Sequence, residues 1–464
     1  MQWKDIFLLR VNWSGYIEKQ TNSKLIRIIA IYLGTAFATI LAIIIFLFLF
    51  CPDVFFNGLI KRKIEISYAK SNPGFTVKIG KLSYKFWNSK IETDTICFYK
   101  GDSILSERII GCNVSGVTCM DLIKGGPGKD CSGYVSDAKD VYIKINESAN
   151  EMHFKNIYLS VNDSLILAED FEYRPQKDDE TLFASNNFRQ TRFKIKSPSI
   201  KLSGVDIPGL INGKKKHIHS AIISKLSVDV LLNKEKPFKI DSAINPMPNE
   251  IFNKMKSPFQ IDNLLIENGS LTYNERYAIE GKSATLTFDK INISANETID
   301  PETKLIAATI NGNCLFNNST TMNLSMIIPL NSPVFSLKYS GTFGELDLRS
   351  INHYIAVAEP MQIKSGILKS ASFDVDINSG YATGTVSAIY TDLKIEVTDE
   401  KRFLNRRRIN SRLANRFFIH KNNLPDRKGN IKQGEVKFVR AHDTAFMEMV
   451  WLSLRSGIED ISGI

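Results

Sequence analysis

Residues 373–390 read FDVDINSGYATGTVSAIY, and this stretch decides the fold class. Phe373, Val375 and Ile377 alternate with two aspartates, and Asn378-Ser379-Gly380 has the composition of a turn. Small and apolar residues then alternate again as far as Tyr390. Alternation with a period of two predicts strands with one apolar and one polar face. We therefore predict a β-hairpin over these residues.

The same alternation extends through most of the chain, for example in residues 226–232 (LSVDVLL) and 322–330 (MNLSMIIPL). Helical periodicity is scarce. It is found in residues 348–357 and 444–458, and the second of these predicts a short amphipathic C-terminal helix. Its apolar stripe at helical spacing consists of Met447, Val450, Trp451, Leu454 and Ile458. A large sheet with so few helices must close into a barrel, pack on a second sheet or curve into a trough, and the pattern leaves these three open.

Residues 28–52 read IIAIYLGTAFATILAIIIFLFLFCP and contain no charged residue. An uncharged run longer than 18 residues predicts a transmembrane helix. The apolar run is longer than the core of a cleaved signal peptide, and no small-residue cleavage pattern follows it. Basic residues flank both sides, so local charge does not fix the orientation. The short tail and the large region after the span favour an anchor with the C-terminal bulk exported.

The net charge of +10 is concentrated near the C-terminus. Residues 401–440 contain 13 Lys or Arg and two acids, including the run Arg406-Arg407-Arg408. Behind a membrane anchor, an anionic membrane surface is a simpler partner for these cations than nucleic acid, at about 1 kcal/mol per basic residue. The alternative is a solvated basic loop. We predict that Arg406, Arg407 and Arg408 contact a membrane surface, and we expect no nucleic acid partner.

No motif indicates an enzyme, a cofactor or a metal. Residues 125–130 (GGPGKD) lack the spacing and the hydroxyl residue of a phosphate-binding loop and are interpreted as a turn. His217 and His219 lie two apart on a predicted strand, but no third metal ligand is evident. Apart from Cys51 at the membrane end, five cysteines remain, which argues against a disulfide framework. The sequence leaves open one or two bridges among Cys97, Cys112, Cys119 and Cys131.

Three segments together resemble the AsmA-like family of bacterial envelope proteins, which includes AsmA and TamB. The first is residues 74–84, with GFTVKIG followed by LSY, and the second is residues 261–273, IDNLLIENGSLTY. The third is residues 344–397, where Ser365-Gly366, Gly380, Gly384 and Asp392-Leu393 match the hairpin pattern of the family. The C-terminal helix with Trp451 is also similar to the end of such chains. The resemblance covers most of residues 28–464.

The resemblance implies an inner-membrane anchor and an elongated, curved antiparallel β-sheet groove with an apolar lining. By this reading, residues 1–27 form a cytoplasmic tail and residues 28–52 the transmembrane helix. Residues 53–260 and 261–400 form N- and C-terminal AsmA-like β regions, and residues 401–464 a basic segment and amphipathic helix. Phe373, Val375 and Val386 are the candidate lipid-facing residues.

Two functions follow as expectations. The first is phospholipid transport or outer-membrane homeostasis by a periplasmic protein anchored in the bacterial inner membrane, with phospholipid acyl chains and an anionic membrane surface as partners. The second is a structural or assembly factor of the envelope that acts through protein contacts, in which the apolar face is an ordinary core. The sequence leaves open whether the sheet is an open groove or a closed sandwich.

Overall fold

The fold is described from a computed structural model of the 464-residue chain. The described residues are 27–47, 49–50, 61–101, 104–118, 120–121, 133–145, 149–211, 216–237, 245–255, 259–278, 281–299, 304–398, 419–441 and 444–463.

An apolar helix, α1 (Arg27–Leu47), begins the described chain. It is 21 residues long, and none of its most apolar window is buried inside the protein. Among the described residues it is the one helix long and apolar enough to cross a membrane. The predicted apolar helix is therefore confirmed, whereas its crossing of a membrane stays a prediction.

Most of the other described residues form one mixed sheet, which confirms the predicted mainly β fold. Its strands are β1 (Phe75–Ile79), β2 (Leu82–Lys85), β3 (Lys90–Lys100), β4 (Ile104–Ser115), β5 (Val135–Ile145), β6 (Asn150–Ser160), β7 (Leu165–Pro175), β8 (Gln190–Val205), β9 (Lys216–Ser224), β10 (Ser227–Asn233), β11 (Phe259–Arg276), β12 (Ala284–Ile299), β13 (Ile306–Phe316), β14 (Thr320–Pro329), β15 (Ser336–Phe343), β16 (Leu346–Asp347), β17 (Met361–Asn378), β18 (Tyr381–Val397) and β19 (Gln433–Val439).

Short helices lie between the strands or after them. They are α2 (Lys61–Ser71), α3 (Asp179–Ala184), α4 (Ile207–Ile211), α5 (Pro248–Lys254), α6 (Asn352–Ala358), α7 (Phe446–Ser462) and the 3₁₀ turns η1 (Phe86–Asn88) and η2 (Leu348–Ile351). Both helices expected from the sequence are present, because η2 and α6 together cover the first candidate and α7 the second.

The sheet consists of two antiparallel meanders joined in parallel. Strands β9 and β10 lie in line between β8 and β11, antiparallel to β8 and parallel to β11. A parallel junction needs a crossover connection, and the chain between β10 and β11 supplies it, with α5 inside it. The sheet is thus mixed at this one junction and antiparallel in its other pairings. The predicted domain boundary at residue 260 stays a prediction.

The predicted turn between β17 and β18 is confirmed, and its backbone explains its composition. Ser379 has φ +52° and Gly380 has φ +86°. Positive φ at both central residues defines the hairpin turn whose twist matches that of the strands. Further along β18, Gly384 has φ +148°, and a methyl group there would lie 2.1 Å from the carbonyl oxygen of Asp374. Glycine is therefore required at Gly384.

A row of irregular positions crosses the N-terminal strands. Gly111, Asn156 and Asp170 have positive φ near the middle of β4, β6 and β7, and the regular pairing is interrupted beside each of them. Such bulges change the phase of alternation and increase the local twist. Ile91 and Ile96 accordingly pack in one cluster although their positions differ by five, an odd number that would place them on opposite faces of a regular strand. The row keeps apolar side chains on one face along the whole strand length.

Helix α6 lies at the edge of β17, next to β16. Asn352 Nδ2 donates to the carbonyl oxygen of Ile363 (2.8 Å), and the N–H of Ile363 donates to Asn352 Oδ1 (2.9 Å). The helix also contacts β12, which is separated from β17 in the sheet by β13, β14 and β15. Helix α6 therefore connects the two strands, and Ile355 packs with Ile363 in an apolar cluster.

Candidate functional site

An apolar face remains open on the N-terminal meander. Residues directly opposite each other on neighbouring strands share a face, so the register defines two apolar rows across β4–β8 and into β10 and β11. The first row contains Ile109, Val141, Phe154 and Phe171, and the second contains Ile143, Met152, Tyr173, Ile195, Val228 and Leu271. We call these two rows the open apolar face.

Every side chain of the open apolar face is only half-buried. The Phe154 and Phe171 rings contact each other with centroids 4.9 Å apart, and Phe193, on the same face of β8, is 42% exposed. In the described part of the chain, no helix packs broadly over β4, β5, β6 or β7. The open apolar face is therefore a surface that apolar molecules can reach.

The opposite face of the same strands is polar and carries ion pairs. His153 Nε2 lies 2.7 Å from Asp140 Oδ2, and Arg174 lies 2.9 Å from Glu151. One face of this meander is thus suited to water and the other to an apolar ligand.

The three candidate lipid-facing residues from the sequence lie elsewhere, in a closed core. Phe373, Val375 and Val386 are 7%, 0% and 5% exposed. They pack in one cluster with Met449 and Val450 of helix α7. The expectation that they line an open groove is therefore corrected, because α7 covers this part of the apolar face. The sequence pattern identified the apolar face but not the helix that lies on it.

Helix α7 packs through a different stripe from the one predicted. Its buried residues include Ser453 and Gly457, whereas Met447 is 64% and Trp451 46% exposed. A methyl group on Gly434 of β19 would lie 2.0 Å from the carbonyl oxygen of Gly457. Helix and strand backbones are in contact here, so Ser453 and Gly457 face the sheet, whereas Met447 and Trp451 point away. The correctly predicted members of the stripe are Val450, with 7% exposure, and the partly buried Leu454, which packs on the same core.

Both edges of the sheet have backbone donors bonded to helix side chains. On β19, the N–H of Glu435 donates to Asp460 Oδ2 (2.8 Å) and that of Lys437 to Ser456 Oγ (3.1 Å). On β1, the N–H of Ile79 donates to Glu65 Oε1 of α2 (2.8 Å). Strand addition needs free edge donors, so these contacts block it at those positions.

A polar groove of about 850 Å³ lies on the other face of the C-terminal meander. It is lined mainly by Asn, Ser and Thr side chains, several of which are bonded across strands. Asn292 Nδ2 donates to Asn313 Oδ1 (3.2 Å), Ser325 Oγ to Asn311 Oδ1 (2.9 Å) and Asn323 Nδ2 to Thr342 Oγ1 (3.1 Å).

The two neighbouring histidines share one carboxylate. His217 Nε2 lies 2.9 Å from Asp262 Oδ1, and His219 Nδ1 lies 3.0 Å from Asp262 Oδ2. The hydrogen bond from His217 holds the pKa of Asp262 below its usual value. Burial, with the nearby Asp262 charge, raises the pKa of Glu297. Among the described residues, no group of three or more His, Cys, Asp or Glu side chains is arranged to hold a metal.

A buried polar cluster that the sequence did not reveal lies beneath α6. Glu275, 3% exposed, accepts hydrogen bonds from Tyr273 (2.7 Å) and Tyr277 (2.6 Å) and pairs with Lys234 (2.7 Å). Burial works to raise the pKa of Glu275, but the bonds from Lys234 and the two tyrosines outweigh it and leave the pKa lowered. Burial and the Glu275 charge raise the pKa of Tyr354 on α6. The cluster is a hydrogen-bonded network that links β10 and β11 beneath α6.

Part of the C-terminal basic segment is packed against the fold. Arg406, Arg407 and Arg408 lie outside the described residues, so their membrane role stays a prediction. From residue 419 onwards the segment contacts β18 and α7. Asn423 donates to the carbonyl of Ala388 (2.7 Å), and Lys432 Nζ donates to that of Asp460 (2.8 Å).

Cys97, Cys112 and Cys314 are free thiols. Cys119, Cys131 and the loop at residues 125–130 lie outside the described residues. Neither Cys97 nor Cys112 therefore takes part in a disulfide bridge. Of the pairings that the sequence leaves open, only Cys119 with Cys131 remains.

Comparison with known proteins adds no relative: the chain matches no family model and no curated protein. The resemblance to AsmA-like proteins therefore rests on the segments quoted above.

Proposed function

We propose that this protein is a membrane-anchored lipid-binding protein whose open apolar face holds phospholipid acyl chains. The observation that carries the proposal is a continuous set of half-buried apolar side chains across β4–β8 with no covering helix in the described residues. Burying acyl chain is favourable by about 0.8 kcal/mol per methylene group, so even a short covered length supports binding. Exposed apolar surfaces of this extent mark interaction sites.

The finer parts of the proposal rest on the resemblance and on helix α1. We propose that the chain is an AsmA-like protein of the bacterial inner membrane, with its sheet in the periplasm, and that it serves phospholipid transport or outer-membrane homeostasis. Helix α1 would keep the sheet beside a lipid source. The half-buried face lies in the N-terminal meander, which follows the anchor most closely in the chain.

The test is the lipid content of residues 53–464 prepared without the anchor. We expect phospholipid to copurify and to be identified by mass spectrometry after solvent extraction. Ile143→Asp, on the open apolar face of β5, should remove it. Lys144→Asp, the next residue and on the opposite face, is the matched control and should retain it. A folded protein without lipid, or equal lipid in both variants, would contradict the proposal.

The alternative function is a structural or assembly factor of the envelope. The polar groove on the C-terminal meander favours this alternative, because its neutral amide and hydroxyl groups can contact a polypeptide. Strand addition is disfavoured at Ile79, Glu435 and Lys437, because the backbone N–H groups of these edge residues already donate to helix side chains. Isolation of one stoichiometric protein partner, with no copurifying lipid, would support this function over the first.

A further inference from the structure

The turn between β2 and β3 carries the most exposed large apolar side chain of the described residues. Trp87, the central residue of η1, is 87% exposed. Lys85 and Lys90 flank it, and both pair with Glu92, at 2.8 and 3.1 Å. The two lysines outnumber Glu92, so the tip combines an exposed indole with a net positive charge.

The direction of the chain places this tip on the side of the sheet on which the N-terminal end of α2 lies. Helix α2 and β1 are joined by a short turn and pack on each other. Tyr68 of α2 also contacts Phe98 of the neighbouring strand β3, with ring centroids 5.4 Å apart. Helix α2 and β1 run in opposite directions, and the bond from Ile79 to Glu65 brings the end of β1 beside the first turns of α2. Strand β2 continues the line of β1 against β3, so η1 lies beyond the N-terminal end of α2.

The lengths agree with this arrangement. An 11-residue helix is about 16 Å long, whereas residues 75–85 in extended form cover about 35 Å, so the tip projects roughly 20 Å past the start of α2. Residues 51–60 separate Phe50 from Lys61 and span at most about 35 Å. A membrane crossed by α1 is thus within reach of the tip.

We propose that the β2–β3 tip inserts Trp87 into the headgroup layer of the membrane that α1 crosses, with an anionic lipid surface as its partner. Tryptophan favours the membrane interface because its ring is apolar and its N–H is polar. Lysines close to an anionic surface add about 1 kcal/mol each. On α2, the basic residues Arg62 and Lys63 are exposed, and Ile66 is 58% exposed. This helix therefore presents the same combination of basic and apolar side chains as the tip.

This inference does not depend on lipid transport, since docking of the tip needs only the bilayer. If the open apolar face also binds lipid, docking would hold the first strands of the sheet against the membrane. Failure of lipid copurification would leave the docking result unchanged, so the two proposals fail separately.

The test uses the full chain in vesicles of phosphatidylcholine and phosphatidylglycerol. The chain has four tryptophans, at 3, 13, 87 and 451, and subtracting the emission of Trp87→Phe from that of the unchanged protein isolates Trp87. Quenching is measured with chain-brominated phosphatidylcholine and, separately, with aqueous acrylamide. We expect brominated lipid to remove most of the Trp87 emission and acrylamide to remove little.

Trp451→Phe is the matched control, because Trp451 is a half-exposed tryptophan on α7. Its subtracted emission should remain open to acrylamide. Three results would overturn the proposal: Trp87 quenched by acrylamide but not by brominated lipid, Trp87 shielded from both as in a protein contact, or Trp451 quenched by brominated lipid as strongly as Trp87.

Discussion

The two meanders of the sheet have the same alternation of apolar and polar residues, but they differ in how deeply their apolar side chains are buried. In the C-terminal meander, Val375 and Ile377 are fully buried beneath α7. In the N-terminal meander, Val141 and Ile143 occupy equivalent alternating positions and remain half-buried. Alternation tells which side chains share a face, because side-chain direction reverses at each residue of a strand. It does not tell what covers that face, because the cover comes from a segment distant in sequence.

The largest expected effect comes from placing the same charge in each meander. Val375→Asp buries an unpaired carboxylate and should unfold the C-terminal meander, a loss above about 4 kcal/mol. Ile143→Asp should leave the fold intact, because water reaches that position. Urea unfolding followed by tryptophan emission and circular dichroism measures both. Equal loss of stability in the two variants would show that the open apolar face is covered in solution.

The contact between α7 and β19 can be broken with one methyl group. Gly434→Ala places Cβ against the carbonyl oxygen of Gly457 and should shift the helix, at a cost of about 3 kcal/mol in the free energy of unfolding. Gln433→Ala, on the same strand, is the control, with an expected change within about 0.5 kcal/mol. Faster proteolysis of α7 in Gly434→Ala alone would support the contact. Unchanged stability would mean that the helix is not tightly docked.

Glu275 tests the buried polar cluster beneath α6. Its folded pKa is lowered, so the carboxylate stabilises the fold above its usual pKa near 4.3, and this stabilisation is lost as the pH falls through the folded value. Glu275→Gln should therefore lower stability by about 1–2 kcal/mol at pH 7. The stabilities of the two proteins should converge as the pH falls below the folded pKa of Glu275. A constant difference at every pH would argue against an ionised Glu275.

The smallest effect distinguishes the two stripes of α7. Trp451→Ala should change stability by no more than about 0.5 kcal/mol, because the side chain is half-exposed. Val450→Ala, at the neighbouring buried position, should cost about 1–2 kcal/mol. Thermal unfolding measures the pair. A larger loss of stability in Trp451→Ala than in Val450→Ala would mean that Trp451 packs against the sheet, as the sequence predicts, and that Met447 and Trp451 do not form an exposed surface.

Much of the fold was predictable from local pattern. The turn at Ser379-Gly380 follows from the need for two positive φ angles, and the hairpin follows from the alternation on both sides of it. The parallel junction at β11 was not predictable, since parallel and antiparallel partners present the same alternation. The position of the open part of the apolar face was not predictable: Phe373, Val375 and Val386 lie in the closed core, and the open part lies on β4–β8. The missed signal is Gly434 with Ser453 and Gly457, small residues that allow a helix to lie on the sheet.

The sequence by itself determined the local properties of this protein: the apolar helix α1, the strands, their turns and the face to which each side chain belongs. These depend on neighbours a few residues apart, through steric limits on φ and the period of side-chain direction. Only the tertiary structure decided which half of the apolar face is closed, which strands pair in parallel and which edge donors are bonded. Those outcomes depend on contacts such as Gly434–Gly457 and Ile79–Glu65, between segments that the chain's local pattern does not pair.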